Sequence, residues 1–214
     1  DFNVGLGYRA LNANTTADDN TAVGNDALLL NTTGANNTAV GSLALDANTT
    51  GAQNTALGKN AMSATTTASN STGLGYGALR DNTTGASNTA VGRLALAANT
   101  TADDNTAVGY SALSTNSTGT RNTAVGASSL EAATTADNNT AVGYQTLNDV
   151  TTGTNNVAMG DRAGDKLTTG SQNTAIGGSA LGTATTASNN TAVGYGALDA
   201  NTSGTDNVAV GSNA

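Results

Sequence analysis

Asn105-Thr106-Ala107-Val108-Gly109-Tyr110-Ser111-Ala112-Leu113 is the stretch that decides the fold, because the chain is built from copies of it. Asn-Thr-Ala-Val-Gly or a close variant begins at Asn3, Asn20, Asn37, Asn54, Ser71, Asn88, Asn105, Asn122, Asn139, Asn156, Asn173, Asn190 and Asn207. Every interval is 17 residues, with no insertion or deletion. A fixed period of this length is the signature of a repeat architecture, in which each unit buries its apolar face against its neighbours. Residues 1–214 therefore read as one repeat array: twelve full units over 3–206 and a partial unit over 207–214. Asp1 and Phe2 fill the last two places of a preceding unit, so an excerpt of a longer fibre is expected.

Number each unit from its Asn. The fourth place is aliphatic in all copies, from Leu6 to Val210, and the second is Thr or Val. Residues two apart in a strand share a face, and β-branched residues at both places favour a strand. These two files are expected to face the core, leaving the third place, always Ala or Gly, on the outer surface. The fifth place is Gly from Gly7 to Gly211, which marks a positive φ or a backbone too near a neighbour for any Cβ. The ninth place is Leu in ten of twelve copies, with Met62 and Gly164 the exceptions, and forms a second core file. Thr-Thr-Gly and Thr-Thr-Ala runs at the thirteenth to fifteenth places are turn-like and would break a helix every 17 residues.

The expected fold class is all-β: a parallel β-solenoid, or β-roll, of 17-residue coils with two short extended segments per coil. At a strand spacing of about 4.8 Å, twelve coils extend roughly 58 Å. Asn side chains at the first place should stack as an amide ladder. The uniformly small third place suggests another backbone packed against it, hence a homo-oligomer.

Composition narrows function. The chain has no Cys, His, Trp or Pro, one Phe, 27 Gly and a net charge of −8 from seven basic and fifteen acidic residues. A nucleic-acid groove or an anionic membrane surface is not expected of scattered, scarce cations, and no apolar run is long enough to span a bilayer. Catalysis finds no footing: there is no His or Cys, one Glu (Glu131), and Ser and Thr without a base. No cofactor is expected, and Gly5-Leu6-Gly7 and Gly75-Tyr76-Gly77 belong to the repeat rather than to a phosphate loop. Asp18-Asp19, Asp103-Asp104 and Asp137 carry calcium-type oxygens, but they recur irregularly and read as solvated turn acids, so no metal site is assigned. Asn14-Thr15-Thr16 and its copies match a glycosylation sequon, a coincidence in a repeat made of Asn and Thr.

The candidate binding residues are the five tyrosines, Tyr8, Tyr76, Tyr110, Tyr144 and Tyr195, all at the otherwise variable sixth place. Exposed aromatics in one file can stack against sugars or a protein ligand; the plainer reading is that each covers the turn glycine. The threonine files also raise ice binding, against which the adjacent pairs Thr15-Thr16 and Thr100-Thr101 should face opposite ways.

Asn139-Thr140-Ala141-Val142-Gly143-Tyr144-Gln145-Thr146-Leu147 resembles the Ser-Val-Ala-Ile-Gly-type repeats in the heads of YadA-like trimeric autotransporter adhesins. It is still more similar to Asn-Thr-Ala-Val-Gly-Tyr-Gln-Ala-Leu arrays in bacterial surface proteins and phage tail fibres. The resemblance covers the whole chain. It implies a left-handed parallel β-roll with three chains side by side, in an extracellular, cell-surface fibre that binds a host or matrix glycan or protein. The adhesin heads usually repeat every 14 or so residues, whereas this chain repeats every 17. A virion tail-fibre shaft is the alternative, and an ice-binding solenoid a further one.

Overall fold

The computed structural model describes residues 2–214; Asp1 lies outside the described residues. The chain divides into two compact units, residues 1–105 and 106–214. The first holds β1 (Val4–Leu6), β2 (Thr21–Val23), β3 (Thr38–Val40), β4 (Thr55–Leu57), β5 (Thr72–Leu74) and β6 (Thr89–Val91). The second holds β7 (Thr106–Val108), β8 (Thr123–Val125), β9 (Thr140–Val142), β10 (Val157–Met159), β11 (Thr174–Ile176), β12 (Thr191–Val193) and β13 (Val208–Val210). Among the described residues there is no helix, and so none long and apolar enough to cross a membrane.

Within each unit, every strand pairs in parallel with the strand one repeat later. Thr38, Ala39 and Val40 lie opposite Thr55, Ala56 and Leu57, and Thr123, Ala124 and Val125 lie opposite Thr140, Ala141 and Val142. The fold is a parallel β-solenoid of 17-residue coils, as the repeat predicts. Each coil contributes one three-residue strand, not two extended segments. The rest of the coil turns, because the seventh, ninth and seventeenth places lie in the left-handed region: Leu43 (φ 58°), Leu45 (φ 53°) and Gln53 (φ 60°) are one set. Such a conformation costs a non-glycine residue roughly 1–2 kcal/mol. Leucine accepts it because the ladder continues through the turns, with Leu28 N to Ala44 O at 3.1 Å and Leu45 N to Ala61 O at 3.0 Å. Its side chain is also fully buried, as at Leu28, Leu45, Leu113 and Leu130.

The faces of the strand are the reverse of the expectation. Third-place residues such as Ala39, Ala107, Ala124 and Ala141 have no exposed surface. The second- and fourth-place files point away from the coil interior, where Leu57, Met159 and Ile176 remain 38–49% exposed. A coil of 17 residues is narrow, and ninth-place leucine already fills the space beneath the strand. Only alanine or glycine fits opposite it. The small third place thus reflects packing within the coil rather than a seam with another chain.

Two local exchanges show how tight this interior is. Gly73 stands at a third place where Met62 of the preceding coil replaces Leu, and a Cβ on Gly73 would lie 2.8 Å from Met62 Cγ. In a second-unit coil Gly164 replaces the ninth-place Leu, and Leu167, fully buried three residues later, supplies an aliphatic side chain at the twelfth place. The fifth-place glycines meet both conditions at once. Gly109 has φ +138°, and a Cβ there would lie 2.5 Å from Gly126 O.

Two buried amide files run beside the aliphatic one. At the first place, Asn37 N donates to Asn20 Oδ1 at 2.9 Å and Asn54 N to Asn37 Oδ1 at 3.0 Å, while Asn37 Nδ2 reaches Gly51 O at 2.9 Å. The first-place ladder is the one the sequence predicts. A second lies at the twelfth place, where Asn48 Nδ2 donates to Asn31 Oδ1 and Asn99 Nδ2 to Asn82 Oδ1, each at 2.8 Å. Buried amides satisfied in this way hold the coils in register, since any offset would leave them unpaired at a cost of about 1–3 kcal/mol each.

Candidate binding surfaces

The arrangement of charge defines the surfaces. All seven basic and all fifteen acidic residues fall at the sixth, seventh, tenth, eleventh, sixteenth and seventeenth places of the repeat. The outward face of the strands, made of second- and fourth-place side chains, carries none. In β7, β8 and β9 it presents Thr106, Thr123 and Thr140 beside Val108, Val125 and Val142, all partly exposed. An uncharged face that carries a file of partly exposed aliphatic side chains is the kind of surface that serves interaction.

The sixth place borders that face and lies outward, as expected. Tyr8, Tyr76, Tyr110, Tyr144 and Tyr195 are 47–69% exposed. Tyr8 and Tyr76 belong to the first unit, and Tyr110, Tyr144 and Tyr195 to the second. Backbone bonds fix the file's spacing in the second unit: Ser128 N to Tyr110 O at 2.9 Å, Gln145 N to Ala127 O at 3.0 Å and Arg162 N to Tyr144 O at 2.9 Å. Guanidinium groups lie over tyrosine rings, with Arg9 on Tyr8 at 5.2 Å, Arg93 on Tyr76 at 5.9 Å and Arg162 on Tyr144 at 5.9 Å. Tyr195 leans instead over Gly178, the sixth-place residue of the coil before it, with ring carbons 3.4 and 3.7 Å from the position of a Cβ there.

The turn acids have structural partners. Asp103 Oδ1 accepts from Ala86 N at 2.7 Å, and Asp137 Oδ1 from Thr120 N at 2.6 Å. Ser69 and Ser171 do the same for Ala52 and Thr154 at 3.0 and 2.9 Å. Asp at the sixteenth place therefore acts as one of several acceptors for the preceding coil's backbone. Among the described residues no group of three or more carboxylates could hold a metal ion. The sequon asparagines of the twelfth place, Asn31, Asn48, Asn82 and Asn99 among them, are fully buried in the second ladder.

The acids with shifted titration are others. Asp26, hydrogen-bonded to Arg9 Nε at 2.7 Å, is held below the usual carboxylate range by that bond. Burial pushes Asp46 and Asp165 above it. None of these three was singled out by sequence; acids recur at the tenth place, as Asp46, Glu131, Asp165 and Asp199, whereas Asp26 is the one acid at the seventh.

Comparison with protein-family models, with curated proteins and with solved structures gives no match for this chain.

Proposed function

We propose that the chain is a non-enzymatic segment of an extracellular, cell-surface fibre, acting as a structural spacer with an adhesive surface. In this reading the solenoid is left-handed and three copies lie side by side, as in the adhesin heads its repeats resemble. The observation that carries it is the uncharged outward strand face, with an aliphatic side chain from every coil and all charge kept to other places. Identical files at identical spacing on each copy can interlock along their whole length, which favours self-association over a partner of different period. Its seam is the second- and fourth-place files, not the third. A virion tail-fibre shaft would use the same face in the same way.

Light scattering of the purified chain tests the assembly. Three times the chain mass of 20.7 kDa is expected, falling to one chain for the double variant Val108→Lys, Val142→Lys with unchanged circular dichroism. A wild-type chain that stays single at every concentration would contradict it.

The outward placement of Thr106, Thr123 and Thr140 on one strand face favours a second reading, ice binding, which needs hydroxyl and methyl groups in a regular open grid. The two readings compete for one face. A single-chain mass together with thermal hysteresis and shaped ice crystals would support ice binding; assembly without hysteresis would remove it.

A further inference from the structure

Within the second unit, Tyr110 and Tyr144 stand at the sixth place of the coils that carry β7 and β9, and the coil of β8 between them carries Ala127 there. We infer that Tyr110, Ala127 and Tyr144 form a notch that holds one hexopyranose ring of a glycan between the two aromatic rings. This rests on the adhesive-surface reading above and names the ligand class for one place on it.

The dimensions follow from the backbone. Two coil intervals separate the tyrosines, on the order of 10 Å at strand spacing. A flat ring seated midway stands about 4.8 Å from each, inside the 4.5–7 Å range over which rings stack. Ala127 makes the floor low enough to admit it, where the arginine, aspartate or tyrosine found at other sixth places would block it. Arg162 lies over the Tyr144 ring at 5.9 Å and its Nε donates to Gln145 Oε1 at 3.2 Å. That bond engages Gln145 on the side of Tyr144 away from Ala127, so the far face of the Tyr144 ring is covered and the near one is left to the notch. Ser128, beside Ala127 and partly exposed, offers a hydroxyl. Aromatic walls with an uncharged hydroxyl at the rim suit a neutral sugar. The net charge of −8 disfavours a phosphate-bearing ring such as a nucleotide.

The first unit lacks this arrangement: Tyr8 and Tyr76 are four coils apart, and Asn25 and Lys59 are the sixth-place residues next to them on the intervening side. Two coils before Tyr195 the sixth place is Asp161 rather than tyrosine. Tyr195 therefore serves as an internal control.

The test titrates the chain with methyl hexopyranosides of gluco, galacto, manno and N-acetylglucosamine type, read by saturation-transfer NMR and tyrosine fluorescence. N-acetyl-phenylalanine amide is the aromatic comparison. At least one sugar is expected to bind the wild type, to bind about tenfold more weakly or not at all to Tyr144→Ala and Ala127→Leu, and to bind Tyr195→Ala unchanged. Circular dichroism must be the same for all four proteins. Absence of sugar binding, binding undiminished in Ala127→Leu, or preference for the phenylalanine amide would overturn the notch. Light scattering on the same samples separates the two ideas. A trimer that binds no sugar removes the notch alone, while a single-chain mass removes the fibre assembly.

Discussion

Asn48 and Thr65 occupy the twelfth place in successive coils, and the ladder stops between them: Asn48 Oδ1 and Thr65 Oγ1 are both buried and neither has a hydrogen-bond partner. On the far side, Asn82 Nδ2 bonds Gly85 O at 2.9 Å, whereas Asn48 Nδ2 bonds both Gly51 O and the amide of the coil before. Thr65→Asn should close the gap, donating to Asn48 Oδ1 and accepting from Asn82. We predict a gain of about 1–2 kcal/mol, seen as a higher melting temperature and slower amide exchange at neighbouring coils. A neutral or destabilising result would mean that the ladder does not hold the coils together.

Gly109→Val should disrupt the stack where it is made. The added Cβ meets Gly126 O at 2.5 Å and the φ of +138° is one that L side chains rarely adopt. Loss of about 3 kcal/mol or more is expected, with exchange protection lost first around β7 and β8. Unchanged melting would contradict the close approach.

Met62 and Gly73 should behave as a coupled pair. Gly73→Ala alone puts a methyl 2.8 Å from Met62 Cγ and should cost about 1–3 kcal/mol through overpacking. Met62→Leu restores the side chain found at this place in ten coils and should recover most of that cost. A thermal double-mutant cycle measures the coupling, and additive effects would rule it out.

Asp46 gives a pH dependence of defined sign. Burial raises its folded-state pKa above the ordinary value, so the ionised form destabilises the fold. That penalty is fully present above the folded pKa and disappears as pH falls through it to below the ordinary carboxylate value. Asp46→Asn should therefore melt higher than wild type at pH 7, and the difference should vanish near pH 3, where both chains are neutral at this place. Asp26 runs the other way: Arg9 lowers its pKa, so its contribution is present above the ordinary carboxylate range and is lost as pH falls through the folded value. An Asp46→Asn chain whose advantage grows toward low pH would contradict the assignment.

The period, the in-register stacking, the glycine file, the ninth-place leucines and the first amide ladder were all legible in the sequence, because each repeats without exception or nearly so. The polarity of the strand was not. A three-residue strand offers two phases, and the aliphatic file from Leu6 to Val210 pointed to burial, although the coil has room only for alanine beside Leu45 or Leu113. The second ladder was present as seven asparagines at the twelfth place, but its interruption by Thr65, Ala133, Val150, Leu167 and Ala184 hid it. Left-handed leucines such as Leu43 and Leu96 carry no propensity signal, since their conformation is imposed by the neighbouring coil. For the candidate notch, sequence showed the tyrosines at one place but not that Ala127 separates two of them on a fixed two-coil spacing.

The claim on which all of this depends is that consecutive repeats lie directly over one another, coil by coil. The chain has no native cysteine, so spin labels at Ala127→Cys and Ser212→Cys, five repeats apart at the sixth place, can be measured by pulsed electron resonance in a dilution of unlabelled chain. The structure predicts a single narrow distance of about 24 Å, five strand spacings, shortening by about 10 Å when the first label moves to Asp161→Cys. A broad distribution, or a distance that does not change by a fixed step per coil, would contradict the stacked solenoid.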